Sequence, residues 1–388
     1  MSSNSSTAQT TKAKASTRKP RAPKTPKVKY RRMTITKNRA CTRDVYRDLY
    51  HHPEDLPTIS HFNVNELDAE YLRKLLSLDM PNLEGLNLRF RTSALSRLDE
   101  GRKTELNSRM VAKPKLKTLN FIQDNPRETY GMTLNDIPLL SHPSLTTLKL
   151  EKVRIRELGR PSVRPLPFEN LDSFYLHAGD YSYEVLKKFL KNAKSLRHLE
   201  FHHPFYVAAR SDPPDFSQLL QPCKNSLQIL ELWWDCMDRL CFNNPGMKFA
   251  DFTALQYLAI PPRALFGPYW YEKDLDFLQM LKDHIPPNLK VLFLQEIGPC
   301  WSHEELDEEI DEDCDPEAIL LPNDYKLIKA LLTNKELFPS LRYIAWTSEI
   351  DTIPPKDLVD MAGKLGMAIE LVVNRLELPP DVKWLDKL

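Results

Sequence analysis

The sequence predicts an α/β solenoid, a horseshoe with parallel strands on the concave face and helices on the convex face. Three observations predict it. A short phrase (Leu, two residues, an apolar residue, one residue, another apolar residue) returns nine times. Its copies lie 25 to 34 residues apart, with one interval of 52. Between the copies, apolar residues recur at helical spacing. Such a period sets the architecture before any chemistry is considered, because each unit has an apolar side that it can bury only against its neighbours.

The phrase occurs at Leu83-Leu86-Leu88, Leu116-Leu119-Phe121, Leu145-Leu148-Leu150, Leu171-Phe174-Leu176 and Leu196-Leu199-Phe201. It continues at Leu227-Leu230-Leu232, Leu255-Leu258-Ile260, Leu289-Leu292-Leu294 and Leu341-Ile344-Trp346, and Ile369-Leu371-Val373 alternates like a terminal strand. The last two apolar residues are two apart, so a strand turns both to one side, while the first Leu turns the chain inward. The lead-in repeats as well. Asn or Ser precedes the first Leu in seven copies, and Pro stands two before it in five. The intervening segments predict helices. Asn65 would cap one carrying Leu67, Tyr71, Leu72, Leu75 and Leu76, and Asp180 precedes Val185, Leu186, Phe189 and Leu190. Leu275, Leu278 and Leu281 repeat the design, as do Leu327, Ile328, Leu331 and Leu332, then Leu358, Met361, Ala362 and Leu365.

On these phrases the chain resembles leucine-rich-repeat proteins over about residues 56–375, and its irregular, helix-containing repeats resemble the repeat domains of fungal F-box-type proteins. The resemblance implies a binding role rather than catalysis. One feature departs from the family. Three residues after the last apolar position, where the family places Asn or Cys, stand Arg91, Asp124, Val153, Gly179, Pro204, Asp235, Arg263, Ile297 and Glu349.

Charge divides the 388 residues unevenly. Residues 1–43 carry thirteen Lys or Arg and no acid, which leaves 41 basic against 53 acidic residues in 44–388, a net of −12. The domain reading is a disordered basic tail at 1–43 and a solenoid at 44–388 with an acidic insertion at about 301–322. The tail is too poor in large apolar residues to order itself. Arg18, Lys19, Arg21, Lys24, Lys27, Lys29, Arg31 and Arg32 form a candidate nuclear import signal, with a solubilising tail and a nucleic-acid arm as the other readings. Nucleic acid is the weaker partner, because the acidic solenoid would repel it. Glu304 to Glu317 carries ten acids and no base. It lacks the glycine of a helix-loop-helix calcium site and reads as a solvated loop.

Neither metal nor cofactor is implied. The six Cys are scattered without a CxxC pair, and no HExxH, GxGxxG, GxxxxGK[ST] or GxSxG occurs. The chain reads as a non-enzyme. No apolar leader and no run of about 18 apolar residues appears, so the expected location is nuclear or cytoplasmic and off the membrane.

Geometry then points to a binding face. Residues two, four and six after the first Leu face away from the core. From the fourth copy onward they include Tyr175, His177, His198, Glu200, His202, Glu231, Trp233, Tyr257, Phe293 and Tyr343. An aromatic row facing solvent, with Trp233 at its centre, would be a hot spot for a protein partner. The expected function is a non-catalytic interaction scaffold. The alternative is the substrate-recognition subunit of a ubiquitin ligase with a degenerate or lost F-box, because residues 40–63 hold Leu56-Pro57 but no apolar box helix. A nucleic-acid-associated factor using the basic arm is the third reading.

Overall fold

The computed structural model describes residues 31–35, 46, 49–67, 69–90, 105, 108–109, 111–123, 132–133, 142–156, 168–177, 180–181, 183–203, 215–234, 246–267, 276–295, 322–348 and 354–373. Each phrase forms a strand. The strands are β1 (Arg31–Ile35), β2 (Ile59–Leu67), β3 (Gly85–Phe90), β4 (Thr118–Gln123), β5 (Met132–Thr133) and β6 (Thr147–Glu151). They continue with β7 (Arg154–Arg156), β8 (Ser173–His177), β9 (Asp180–Tyr181), β10 (His198–His203) and β11 (Ile229–Trp234). The last are β12 (Tyr257–Ile260), β13 (Val291–Leu294), β14 (Tyr343–Ser348) and β15 (Ala368–Val373). Twelve of them form one sheet in the order β1-β2-β3-β4-β6-β8-β10-β11-β12-β13-β14-β15, and every neighbouring pair is parallel. The short β5, β7 and β9 make a second parallel sheet. Lys152 takes a positive φ of 58° at the turn from β6 into β7.

Register turns the phrase into columns. Leu86, Leu119, Leu148, Phe174, Leu199, Leu230, Leu258, Leu292, Ile344 and Ile369 stand side by side across ten strands. All are fully buried but the last, which is partly so. β4, β6 and β8 alternate half-open and buried positions along their length, as one-sided burial requires. The helices close the same core. They are α1 (Ala69–Ser77), α2 (Tyr183–Leu190), α3 (Phe216–Leu219), α4 (Pro262–Phe266), α5 (Phe277–His284), α6 (Pro322–Thr333) and α7 (Lys356–Lys364). Leu75, Leu186, Leu265, Leu281, Leu331 and Leu358 join the strand leucines in one continuous cluster. The helix expected behind Asn65 begins later, at Ala69, because β2 runs on to Leu67 and takes Asn65 into the strand. Leu278 and Leu365, counted with the apolar helix faces, are exposed.

The lead-in is a turn and a staple. Leu83, Leu116, Leu145, Leu289 and Leu341 each donate their N–H to the carbonyl three residues back, of Met80, Lys113, His142, Pro286 and Phe338. Pro at the second place of such a turn has φ already set, and Asn or Ser fits the third. The residue before the first Leu then reaches the preceding repeat. Asn82 Nδ2 donates to Pro57 O at 2.7 Å, Asn170 Nδ2 to Pro143 O at 3.0 Å, Ser226 Oγ to Lys194 O at 2.8 Å and Asn288 Nδ2 to Thr253 O at 2.9 Å. Among the described residues, this lead-in position thus ties one repeat to the next. The backbone adds a second tie: Glu84 O accepts from Lys117 N and Thr118 N, and Lys117 O, Thr146 O, Asp172 O, Arg197 O, Gln228 O, Gln256 O and Lys290 O each accept a pair in the same way.

The sheet starts earlier than the first Leu phrase. Ile59, Phe62 and Val64 occupy the three phrase positions and are buried. Phe62 is in register with Leu86, and Met33 with Phe62. Arg31 and Arg32, grouped with the tail and its import signal, therefore belong to β1, inside the segment expected to be disordered. Arg18, Lys19, Arg21, Lys24, Lys27, Lys29 and the acidic insertion before Pro322 lie outside the described residues.

Candidate interaction face

The face of the sheet turned away from the helices, expected to be the concave one, carries three in-register rows. Neighbouring strands lie about 4.8 Å apart, so residues in one row touch or nearly touch. The first row runs His61, Gly85, Thr118, Thr147, Ser173, His198, Ile229, Tyr257, Val291, Tyr343. The second runs Thr34, Asn63, Asn87, Asn120, Lys149, Tyr175, Glu200, Glu231, Ala259, Phe293, Ala345, Glu370. The third runs Arg89, Ile122, Glu151, His177, His202, Trp233. A Cβ at Gly85 would meet the His61 ring at 2.5 Å, so any side chain there would have to displace that imidazole.

Three zones follow from the rows. The first is lined by amides and hydroxyls, the second by ionisable groups, the third by apolar side chains. In the third, Trp233, Tyr257 and Phe293 are only 9%, 4% and 3% exposed. The expectation of an aromatic row facing solvent is corrected here. Phe293 sits between Ala259 and Ala345, and the small Ala259, on the strand between the two rings, leaves room for Trp233 to reach it, ring centroids 5.6 Å apart. The group forms its own apolar cluster with Val291, and Tyr343 packs half-buried at its side, donating its hydroxyl to Glu370. These aromatics stabilise the face rather than offering it.

The ionisable zone stays half-open. Tyr175, His177, His198, Glu200, His202 and Glu231 come together there, as the spacing implied, and Lys149 and Glu151 join them. Tyr175 stands edge-on to His198, centroids 4.9 Å apart, with its hydroxyl 3.2 Å from Nδ1. His177 Nε2 faces Glu200 Oε1 at 2.8 Å, His198 Nε2 faces Glu231 Oε1 at 3.9 Å, and Lys149 Nζ lies 3.6 Å from Glu151 Oε2. Trp233 donates its indole N–H to Glu231 Oε2 at 3.3 Å.

The electrostatics are unequal. Burial, with the Glu200 charge beside it, pushes the Glu231 carboxyl up to about 7 against the lowering effect of the Trp233 N–H. Burial also raises Glu200, but its hydrogen bond and charge interaction with His177, helped by His198 and Lys149, hold it below the usual carboxylate range. Burial pushes the His198 imidazole down and the Tyr175 phenol up. Among the described residues no group of three or more His, Cys, Asp or Glu side chains could hold a metal ion. Among them also, no helix is long and apolar enough to cross a membrane.

Compared with known proteins, the chain matches no protein-family model, and no curated protein matches it. The face is therefore read from its own geometry. Aligning the phrases places Asn87 and Asn120 at one position on this face, and the structure adds Asn63 to the stack, from a strand whose phrase holds no Leu. Ala259 and Ala345 were legible too, as small residues flanking a large one.

Proposed function

We propose that the protein is a non-catalytic scaffold of the leucine-rich-repeat kind that binds a protein partner on the open sheet face. The observation that carries this reading is the half-open ionisable zone, where register lines up Lys149, Tyr175, Glu200 and Glu231 beside His177, His198 and His202. Rigid parallel strands hold such groups in fixed positions, which limits the ordering cost of binding. The apolar zone next to it supports the surface from the side. A nuclear or cytoplasmic location accompanies the proposal, on the strength of the basic N-terminal residues.

No specific observation favours the ubiquitin-ligase reading. Pro53–Thr58 is a 3-10 turn and Ile59–Leu67 is a strand of the sheet, so this stretch is not a box helix.

The test is affinity purification of the full chain with mass spectrometry of co-purifying proteins. Lys149→Ala with His202→Ala should lower partner recovery by roughly tenfold or more, as loss of central contacts does. Lys187→Ala with Lys188→Ala, in α2 on the helix side, should leave recovery unchanged. Equal recovery from both variants would move the site off the open face.

A further inference from the structure

We infer that Glu231 and Trp233 form a proton-operated latch at the centre of the open face, which makes partner binding tighter at mildly acidic than at mildly alkaline pH. The inference rests on the reading of that face as the binding surface. Its geometric basis is the parallel register. Glu200 and Glu231 sit opposite each other on adjacent strands, pointing the same way. Like charges so placed repel each other across one strand spacing.

Among the described residues, the one basic side chain within ion-pair reach of Glu231 is His198, Nε2 to Oε1 3.9 Å, and burial disfavours the charged form of that imidazole. From β10 it is faced by His198, Glu200 and His202, from β8 by Tyr175 and His177, and from β12 by Tyr257. Its own strand contributes Trp233, whose N–H is the neutral donor to Oε2. Lys149, the nearest Lys in the row, is two strands from Glu200 and three from Glu231, and lies beside Glu151. The Glu231 side chain keeps only 13% of its surface. A protonated Glu231 is an uncharged group level with the apolar zone. A deprotonated one is a charge poorly hydrated and beside another carboxylate, and a partner covering it would remove the remaining water.

Proton and partner are therefore linked. Docking raises the proton affinity of Glu231 further, so binding takes up a proton, and each unit by which docking raises it weakens binding up to about tenfold above neutral pH. The indole reports the state directly, because its hydrogen-bond acceptor changes from acid to carboxylate.

Two measurements on the full chain separate the latch from the surface. In the first, the Trp233 indole N–H resonance, assigned by its loss in Trp233→Phe, is followed from pH 5.5 to 8.5 without partner. It should titrate with a midpoint near neutrality, lose that titration in Glu231→Gln, and shift its midpoint downward in Glu200→Gln, where the neighbouring charge is gone. A flat wild-type profile, or an unchanged one in both variants, overturns the latch whatever the face binds. In the second, co-purifying proteins are quantified at pH 6 and pH 8. The wild type should retain more at pH 6, and Glu231→Gln should retain as much at pH 8 as at pH 6. A pH-independent wild type, a preference for pH 8, or an undiminished preference in Glu231→Gln overturns the coupling. Loss of open-face dependence in the Lys149/His202 variant would instead count against the surface.

Discussion

Glu231→Gln should stabilise the fold in a pH-dependent way, by an amount the structure sets. The carboxyl is held at about 7 against an ordinary value of 4.5. At 1.36 kcal/mol per unit this shift is worth about 3 kcal/mol. The sign is fixed by which state holds the proton. Between pH 4.5 and 7 the folded chain keeps a proton that the unfolded chain has released, so stability from this group falls as pH rises through that window. Glu200 acts in the opposite sense, its lowered value giving stability that is present above the ordinary carboxylate range and lost on acidification. His198, lowered by burial, likewise loses stability as pH falls through its ordinary value near 6.5. The comparison of variant with wild type cancels most of these other groups. Gln resembles the protonated acid and still offers an oxygen to Trp233. Urea unfolding at pH 5 and pH 8 should show the variant gaining about 2–3 kcal/mol over wild type on going to the higher pH. The same difference at both values would mean that Glu231 is not strained by its neighbours, and the account of the central row would be wrong.

Two further outcomes concern the scaffold. Leu230→Ala removes a fully buried side chain between the equally buried Leu199 and Leu258, and should cost about 2–5 kcal/mol in the same unfolding measurement. A cost under 1 kcal/mol would show that the column is loosely packed. Asn170→Ala breaks one exposed staple to Pro143 O and should cost about 0.5–1.5 kcal/mol, and Asn170→Asp should not restore it, since the contact needs the amide donor. Full recovery by Asp would assign the loss to the turn rather than to the bond between repeats.

Much of this was readable from the residues because a strand with period two leaves little freedom once one face is buried. Leu148 and Leu150 had to point inward and Lys149 outward, and they do. What was missed has physical causes. Ile59-Phe62-Val64 fills the phrase without a single Leu, and Met33-Ile35 lies among basic residues, so neither carried the compositional signal although both make the same strand. Asn65 looked like a cap because β2 is longer than its neighbours. The aromatic row was placed on the right face, but spacing gives direction and not cover. Trp233 and Phe293 are closed in because the small Ala259 on the strand between them lets the two rings meet, a packing effect between strands more than 25 residues apart. Glu200 and Glu231 hold the same position in consecutive phrases, and the parallel register sets them side by side.

The central claim is that the open face meets the partner. A photo-crosslinking amino acid placed at Lys149, in the ionisable zone, and another at Tyr183, exposed at the start of α2, test it in the cells from which the chain comes. The account expects a discrete covalent adduct from position 149 and none from position 183, with the adduct weakened by His202→Ala. An adduct from position 183 alone would contradict it.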